Sequence, residues 1–182
     1  MKHPDIKEIL LTEKQIHKRV GELASEINRD YRGKEPVLVP VLKGAVVFMC
    51  DLMRQLTMYH VVDFIGVSSY ANSTESSGVV RLLMDLRESI VDRDVLIVED
   101  IVDTGLTLSY LKRNLLTRKP RSLKICVLLD KKECRKKNIK IDYTGFVIPD
   151  KFCVGYGLDY SQLYRNLPYI GVLRSEIYRR KR

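Results

Sequence analysis

Apolar residues recur at helical spacing near the start of the chain. They lie three or four positions apart, at Ile16, Val20, Leu23, Ile27 and Tyr31. Thr12 and Gln15 stand at the positions of a capping box, a side-chain arrangement that satisfies free N–H groups at a helix start. The pattern therefore predicts a helix from about Glu13 to Tyr31, with one face covering a sheet.

Further along, apolar residues form short continuous runs. The clearest are Val37–Leu42 and residues 95–98 and 123–129. Such runs are typical of strands buried on both faces of a parallel sheet. Helical spacing returns after the first two runs, and weaker strand patterns cover residues 61–69, 79–84, 143–149 and 169–173. We therefore predict an α/β fold, a mainly parallel twisted sheet flanked by helices.

The most informative stretch joins one of these strands to a helix. Glu99 and Asp100 follow the apolar run, and Asp103-Thr104-Gly105-Leu106-Thr107 leads into the helix. Ligands of open α/β sheets bind at the carboxyl ends of strands. Backbone N–H groups at a helix start cradle phosphate, while carboxylates suit sugar hydroxyls or a divalent cation. An isolated Asp-Thr-Gly would fit an ordinary loop equally well, but the whole stretch indicates a polyhydroxylated phosphate ligand with a metal.

A second turn of the same kind follows the first strand. Val37–Leu42 leads into Lys43-Gly44 and then a helix. Alone this is a common connection, but beside the first turn it predicts a second anion site at the same sheet edge.

Composition indicates an ordinary globular chain. Its 182 residues are 45% hydrophobic and 30% charged, which predicts one domain covering residues 1–182. The four cysteines form no C-x-x-C pair, so we expect reduced thiols. We also expect no signal peptide, no membrane span and a cytoplasmic location.

The positive charge is concentrated. The formal net charge is +9, and residues 118–140 hold ten Lys or Arg against two acids. Such a field suits an anionic small substrate, and we do not expect nucleic acid as a partner because no reader motif accompanies the charge.

Residues 95–107 resemble the ribose-phosphate binding signature of type I phosphoribosyltransferases. Motifs in matching order from about Leu42 to Leu173 narrow the resemblance to the hypoxanthine-guanine phosphoribosyltransferase family. The resemblance implies the type I phosphoribosyltransferase fold with a small hood built from the terminal segments, mainly about residues 145–175. It also implies purine salvage, in which hypoxanthine or guanine reacts with phosphoribosyl pyrophosphate to give IMP or GMP and pyrophosphate.

By the same resemblance, the central stretch holds the ribose phosphate. Glu99 and Asp100 would engage the ribose hydroxyls, and Asp103, Thr104, Gly105, Leu106 and Thr107 the 5′-phosphate. Asp103 is the implied catalytic residue, the general acid/base at purine N7.

The implied pyrophosphate site draws on three other segments. Its residues would be Leu42, Lys43, Gly44, Ser69, Tyr70 and Arg165, and the Leu42–Lys43 peptide is often cis in the family. The polar segment 71–78 would be a lid, although a plain hairpin loop fits the same composition.

The implied purine site contains Lys131, Phe152, Cys153 and Asp159. Phe152 would stack on the base, and Lys131 would donate to its exocyclic oxygen. An ammonium group only donates, so it favours a 6-oxopurine over adenine. Mg²⁺ is the implied cofactor, with Asp159, Glu99 and Asp100 as metal-site residues.

This chain departs from the family pattern at two positions. Ala45 stands where a second glycine is frequent, and Leu106 where lysine is frequent. Leu106 offers no charge, so backbone N–H groups and Thr107 must hold more of the phosphate.

Two alternatives remain open at this stage. One is the same enzyme class with xanthine or guanine preferred. The other is an RNA-binding regulator on the same scaffold. The resemblance also implies a homo-oligomer, a dimer or a tetramer.

Overall fold

A mainly parallel sheet forms the centre of the computed structural model, which describes residues 2–69 and 80–179. Its strands lie in the order β5-β4-β2-β6-β7-β8, with β3 beside β2. In chain order, the strands are β1 (Ile6–Leu11), β2 (Val37–Leu42), β3 (Val61–Val62), β4 (Ile65–Ser69), β5 (Val80–Met84), β6 (Asp94–Val102), β7 (Ser122–Asp130), β8 (Tyr143–Val147), β9 (Cys153–Val154) and β10 (Ile170–Leu173). The helices are α1 (Glu13–Asp30), α2 (Val46–Met53), α3 (Leu106–Leu116) and α4 (Ser175–Arg179), and a 3-10 turn covers Lys132–Cys134.

The apolar runs form buried parallel strands, as predicted. β2 pairs with β6, β6 with β7 and β7 with β8, all in parallel, while β5 is an antiparallel edge strand. Alternate residues of β6 enter different cores. Leu96 and Val98 pack with α1 and α2, whereas Val95 and Ile97 pack with α3. Each residue of the run is therefore buried, because helices cover both faces of the sheet.

The predicted first helix is confirmed, and its beginning has the expected cap. The Thr12 and Gln15 side chains each accept a hydrogen bond from the other residue's backbone N–H. The helix ends one residue earlier than predicted, at Asp30, and the buried Tyr31 is its C-cap.

Two differences between the predicted and the observed strands exceed small shifts at strand ends. The acidic pair was expected after its strand, but β6 continues through Glu99 and Asp100 to Val102, because β7 keeps pairing with it as far as Asp130. The strand predicted over residues 61–69 is interrupted at Asp63. The buried Asp63 carboxylate accepts hydrogen bonds from the backbone N–H groups of Phe64, Arg87 and Glu88, which bends the chain there.

A second, antiparallel sheet joins distant parts of the chain, in the order β1-β10-β9. Leu11 pairs with Ile170, and Val172 pairs with Cys153. Its core contains Ile6, Val154, Tyr169 and Leu173. We propose that this sheet is the hood of a single domain.

Within the two described ranges, no helix has the length and apolarity needed to cross a bilayer.

Candidate active site

The carboxyl ends of β2, β6 and β7 and the loops around the smaller sheet enclose a cavity of about 410 Å³. Twelve of the predicted site residues line it: Leu42, Lys43, Gly44, Glu99, Asp100, Asp103, Thr107, Lys131, Phe152, Cys153, Asp159 and Arg165. Residues more than a hundred positions apart in the chain therefore meet at one edge of the sheet.

The other predicted residues are not among those that the described structure places in the cavity lining. Thr104, Gly105 and Leu106 form the turn that leads to Thr107, outside the cavity lining. Ser69 is the last residue of β4. Tyr70 and the predicted lid segment 71–78 lie outside the described residues.

The acidic pair lies just beyond the point where β6 stops pairing with β2, while its pairing with β7 continues. The last β2–β6 pair joins Pro40 to Val98, so Glu99 and Asp100 face the cavity directly beyond it. Asp100 is buried and accepts a hydrogen bond from the Ile101 N–H at 2.8 Å. Oε2 of Glu99 is buried without a hydrogen-bond partner among the described residues. A buried carboxylate oxygen without a partner, on a residue that lines a cavity, is suited to a ligand hydroxyl or a cation.

Burial makes both carboxylates harder to ionise. It raises the pKa of Asp100 from its usual 3.8 to about 6, against the effect of the Ile101 N–H. Burial and then the charge of Asp100 raise the pKa of Glu99 well above its usual 4.5. The ligand-free site thus holds two carboxyl groups under electrostatic strain, which a bound cation would relieve.

The raised pKa values give a stability prediction. A carboxyl group whose pKa is higher in the folded than in the unfolded protein stabilises the fold at pH values below its unfolded-state pKa. For Asp100, this stabilisation is lost as the pH rises through about 6. We therefore expect Asp100→Asn to raise the free energy of unfolding of the ligand-free protein at pH 7.5, by about 1–3 kcal/mol. Urea unfolding at pH 7.5 and at pH 4 measures the gain, which should disappear at pH 4.

Asp85 is the matched control for this prediction. A hydrogen bond from Arg118 lowers the pKa of Asp85, the opposite direction to that of Asp100. Asp85→Asn should bring no gain at pH 7.5. An Asp100→Asn protein that is no more stable than wild type at pH 7.5 would contradict the proposed strain.

The turn after β6 has the geometry of an anion cradle. Gly105 precedes α3 with a φ of 79°, a left-handed conformation that favours glycine. A Cβ there would lie 3.1 Å from the Lys137 carbonyl oxygen. The backbone N–H groups of Lys136 and Lys137 donate to the Thr104 carbonyl oxygen, at 2.9 and 3.1 Å, and fix the turn. The Leu106 N–H makes a long hydrogen bond of 3.4 Å to the Thr104 hydroxyl oxygen. Because Gly105 has no side chain with which to cap the helix, the N–H groups of the first turn of α3 are suited to an external anion.

The second turn meets the acidic pair directly. The Leu42–Lys43 peptide is cis, as the resemblance implied. A Cβ on Gly44 would overlap the Asp100 carboxylate, and a Cβ on Gly157 would overlap the Gly44 carbonyl oxygen. The backbone of the second turn is thus packed between the sheet and the loop that follows β9.

A lysine and an aromatic ring also line the cavity. Lys131 follows β7 directly, and its side chain is buried. Phe152 keeps 40% of its surface exposed, and its ring stacks on Tyr178 of α4 with 4.8 Å between centroids. The Phe152 carbonyl oxygen accepts a hydrogen bond from the Leu173 N–H, which ties this segment to the smaller sheet. An exposed aromatic face beside a buried ammonium group suits a flat base with a carbonyl oxygen.

Arg165 and Asp159 form an ion pair within the cavity lining. One guanidinium nitrogen, Nη2, lies 2.8 Å from Asp159 Oδ1, and the other, Nη1, donates to the Gly157 carbonyl oxygen at 2.7 Å. Asp159 also accepts from the Gln162 N–H. The structure thus brings these two predicted residues together, with each as a partner of the other.

The sequence reasoning missed several residues of the site. Among the described residues, four apolar ones also line the cavity: Val41, Val67, Ile101 and Leu158. Asp150 was also missed, although its carboxylate accepts a hydrogen bond from the Lys131 ammonium group at 3.0 Å. Its position shortly after β8 was the only available signal, because a residue there lies near the end of the neighbouring β7.

Comparison with known proteins shows the family of the chain. Residues 7–161 match the family model of the phosphoribosyl transferase domain. The chain is 52% identical over 178 residues to a hypoxanthine-guanine phosphoribosyltransferase of Bacillus subtilis strain 168, covering 98% of each protein. It is 53% identical over 180 residues to one of Mycobacterium tuberculosis H37Rv, covering 96% of this chain and 89% of the relative.

A solved structure gives the same result for the fold. The crystal structure of a hypoxanthine phosphoribosyltransferase from Staphylococcus aureus superposes with a TM-score of 0.93 at 50% identity. The match covers 97% of this chain and 96% of the other. The predicted type I phosphoribosyltransferase fold is confirmed, and the chain belongs to the hypoxanthine-guanine phosphoribosyltransferase family.

Proposed function

We propose that this protein is a purine-salvage enzyme that transfers the phosphoribosyl group of phosphoribosyl pyrophosphate to hypoxanthine or guanine, giving IMP or GMP and pyrophosphate. One observation carries the proposal. The acidic pair Glu99 and Asp100 shares a single cavity with Lys131 and Phe152, so groups suited to a ribose and groups suited to an oxopurine line the same space. Membership of the family supports the same reaction.

The phosphates would occupy the two turns. The 5′-phosphate would lie on residues 103–107, held by N–H groups at the start of α3 and by the Thr107 hydroxyl. Pyrophosphate would lie on residues 42–44, with Arg165 as a bidentate partner. Because Arg165 pairs with Asp159 in the ligand-free protein, its pairing would change when the anion binds. Ser69 and Tyr70 complete the proposed pyrophosphate site.

The reaction breaks the bond between ribose C1 and the pyrophosphate oxygen and forms a bond from C1 to purine N9. Positive charge develops on the ribose as the leaving group departs, and Glu99 and Asp100 would stabilise it without covalent attack. Asp103 would act as general base by taking the proton from purine N7, which makes N9 a better nucleophile. Lys131 would hold the exocyclic oxygen, Phe152 would stack on the ring, and Cys153 would contribute backbone groups.

Mg²⁺ is the proposed cofactor. Among residues 2–69 and 80–179, no group of three or more His, Cys, Asp or Glu side chains could hold a metal alone. Mg²⁺ commonly binds through one or two carboxylates together with substrate phosphates, so Glu99, Asp100 and Asp159 are suited to it. The buried Oε2 of Glu99, which has no hydrogen-bond partner in the described part of the chain, fits this function. The cation would neutralise charge on the leaving pyrophosphate.

The environment of the enzyme is part of the proposal. All four cysteines are free, which supports a reducing compartment such as the cytoplasm.

Six basic residues of the 118–140 segment lie in ion pairs with aspartates: Arg118, Arg121, Lys124, Lys131, Arg135 and Lys140. Much of this charge is thus neutralised within the molecule, which argues against nucleic acid as a partner. We also propose a homo-oligomer, a dimer or a tetramer.

A steady-state assay with phosphoribosyl pyrophosphate and Mg²⁺ tests the function. Hypoxanthine, guanine, xanthine and adenine are offered separately, and nucleotide formation is followed by ultraviolet absorbance. We expect turnover of hypoxanthine and guanine, and none of adenine, because its 6-amino group offers the Lys131 ammonium no acceptor of the same kind.

Other outcomes would change the proposal. Turnover of xanthine or guanine alone would keep the reaction and revise the base. Failure with every base, together with salt-sensitive RNA binding, would overturn the proposed enzyme in favour of an RNA-binding regulator on this scaffold.

A further inference from the structure

The Lys131 ammonium group has a partner that the proposed chemistry leaves unexplained. Its Nζ lies 3.0 Å from Oδ1 of Asp150. The two side chains differ greatly in exposure, with 9% of the Lys131 side chain accessible and 65% of the Asp150 side chain. A buried cation thus receives its hydrogen-bonded counter-charge from a carboxylate at the protein surface.

The register of the sheet brings the two residues together. β7 and β8 are parallel, and their last pair joins Asp130 to Val147. Lys131 follows β7 directly, and its N–H donates to the Val102 carbonyl oxygen. The chain after β8 stays close because the Ile148 N–H donates to the Asp130 carbonyl oxygen. Backbone hydrogen bonds therefore hold both sides of the ion pair.

Asp150 is close to the cavity without lining it. Lys131, Phe152 and Cys153 all line the cavity, whereas Asp150 does not. An ammonium group has three N–H donors, and Asp150, which is not one of the lining residues, takes one of them. The remaining donors are then restricted in direction, as preorganised recognition requires.

We propose that Asp150 is a positioning residue, which aims the Lys131 ammonium group at the exocyclic oxygen of the base and so contributes to base affinity and selectivity. The inference rests on the proposed function, because it assigns Lys131 to the base.

The neighbouring charges explain why a positioning group is needed. Burial lowers the pKa of Lys131, and the hydrogen bond to Asp150 and the charge of Asp103 raise it more, so that it lies above its usual value. Asp103 and Asp150 both attract the ammonium group. Without Asp150, Lys131 would be drawn toward Asp103, the proposed general base, and away from the position that serves the base oxygen.

A double-mutant cycle over Lys131 and Asp150 tests this inference. Lys131→Ala should raise the KM for hypoxanthine by about ten- to hundredfold, as expected for a lost charge-assisted hydrogen bond. Asp150→Ala should raise it about tenfold, with the KM for phosphoribosyl pyrophosphate unchanged. In the Lys131→Ala background, Asp150→Ala should have no further effect, because its partner is gone. Asp150→Asn, whose amide oxygen still accepts a hydrogen bond, should have a smaller effect than Asp150→Ala.

Glu8→Gln is the matched control. Glu8 pairs with Lys151, the neighbour of Asp150, at 2.7 Å, so this variant breaks an adjacent surface ion pair without touching Lys131. It should leave every kinetic constant unchanged. Thermal melting should show that all variants fold.

Two results would overturn the inference. One is an unchanged KM for hypoxanthine in Asp150→Ala, and the other is an equal effect of Asp150→Ala with and without Lys131. Wild-type protein in the same assay reports the proposed function separately. Its failure to use hypoxanthine would refute that function, whereas an active wild type with an additive cycle would refute only the assignment of Asp150.

Discussion

Replacing Asp103 by asparagine should lower turnover by about a hundredfold or more while leaving the affinity for phosphoribosyl pyrophosphate near its wild-type value. An amide cannot take the N7 proton, and a positioned general base contributes on the order of a hundredfold or more. The proposed phosphate contacts come mainly from the backbone of the turn, and the backbone donors of Lys136 and Lys137 hold that turn whatever side chain stands at position 103. Single-turnover kinetics, together with calorimetric titration of phosphoribosyl pyrophosphate, separates the two effects.

The control for this variant is Glu133→Gln. Glu133 lies in the 3-10 turn that follows Lys131 and is exposed, so its substitution removes one negative charge near the same end of the sheet. It should leave turnover unchanged. Near-wild-type turnover in Asp103→Asn would remove Asp103 from the proposed role.

Gly44→Ala should abolish most activity by a purely steric route. The added methyl group would overlap the Asp100 carboxylate, which is buried and has little room to move. Displacing a catalytic group by about 1 Å can cost on the order of a hundredfold in rate. Overpacking of this kind also destabilises proteins by about 1–3 kcal/mol. Steady-state kinetics and urea unfolding measure the two losses.

Gly33→Ala separates steric overlap from the general effect of replacing a glycine. Gly33 has a φ of 72°, and a Cβ there would meet nothing within 4 Å. This variant should lose stability through its backbone conformation, by about 1 kcal/mol, and keep its activity. A Gly44→Ala protein as active as Gly33→Ala would show that the second turn and the acidic pair need not touch as closely as they do here.

The centre of the site was predictable because its signals are local. A continuous apolar run, two carboxylates and a turn with Gly105 follow one another within thirteen residues of sequence, residues 95–107. Each reflects a short-range requirement, for burial, for charge at a sheet edge or for a left-handed backbone. The end of β6 was not local in this sense. It depends on how far β7 runs beside it, so Glu99 and Asp100 lie within the strand instead of after it.

The missed residues depend on contacts between distant segments. Val67 and Leu158 line the cavity, but from sequence they could equally be core residues. Asp150 pairs with Lys131 only because β7 and β8 share a particular register. Strand β1 was missed because Lys7 and Glu8, both exposed, interrupt its apolar pattern. Its partner, β10, also lies near the other end of the chain.

The pairing of β1 with β10 also fixes the order in which the molecule can be completed during synthesis. β1 is translated early, but Leu11 has no β-strand partner until Ile170 has left the ribosome. At about 5–20 residues per second, this delay is on the order of ten seconds. The large sheet, from β2 to β8, can form in that interval. Phe152 must wait longer, because its carbonyl oxygen is bonded to the N–H of Leu173 in the smaller sheet. A nascent chain can therefore assemble the two turns proposed to hold phosphate before the proposed base site is finished, and we expect activity only once the last strand is added.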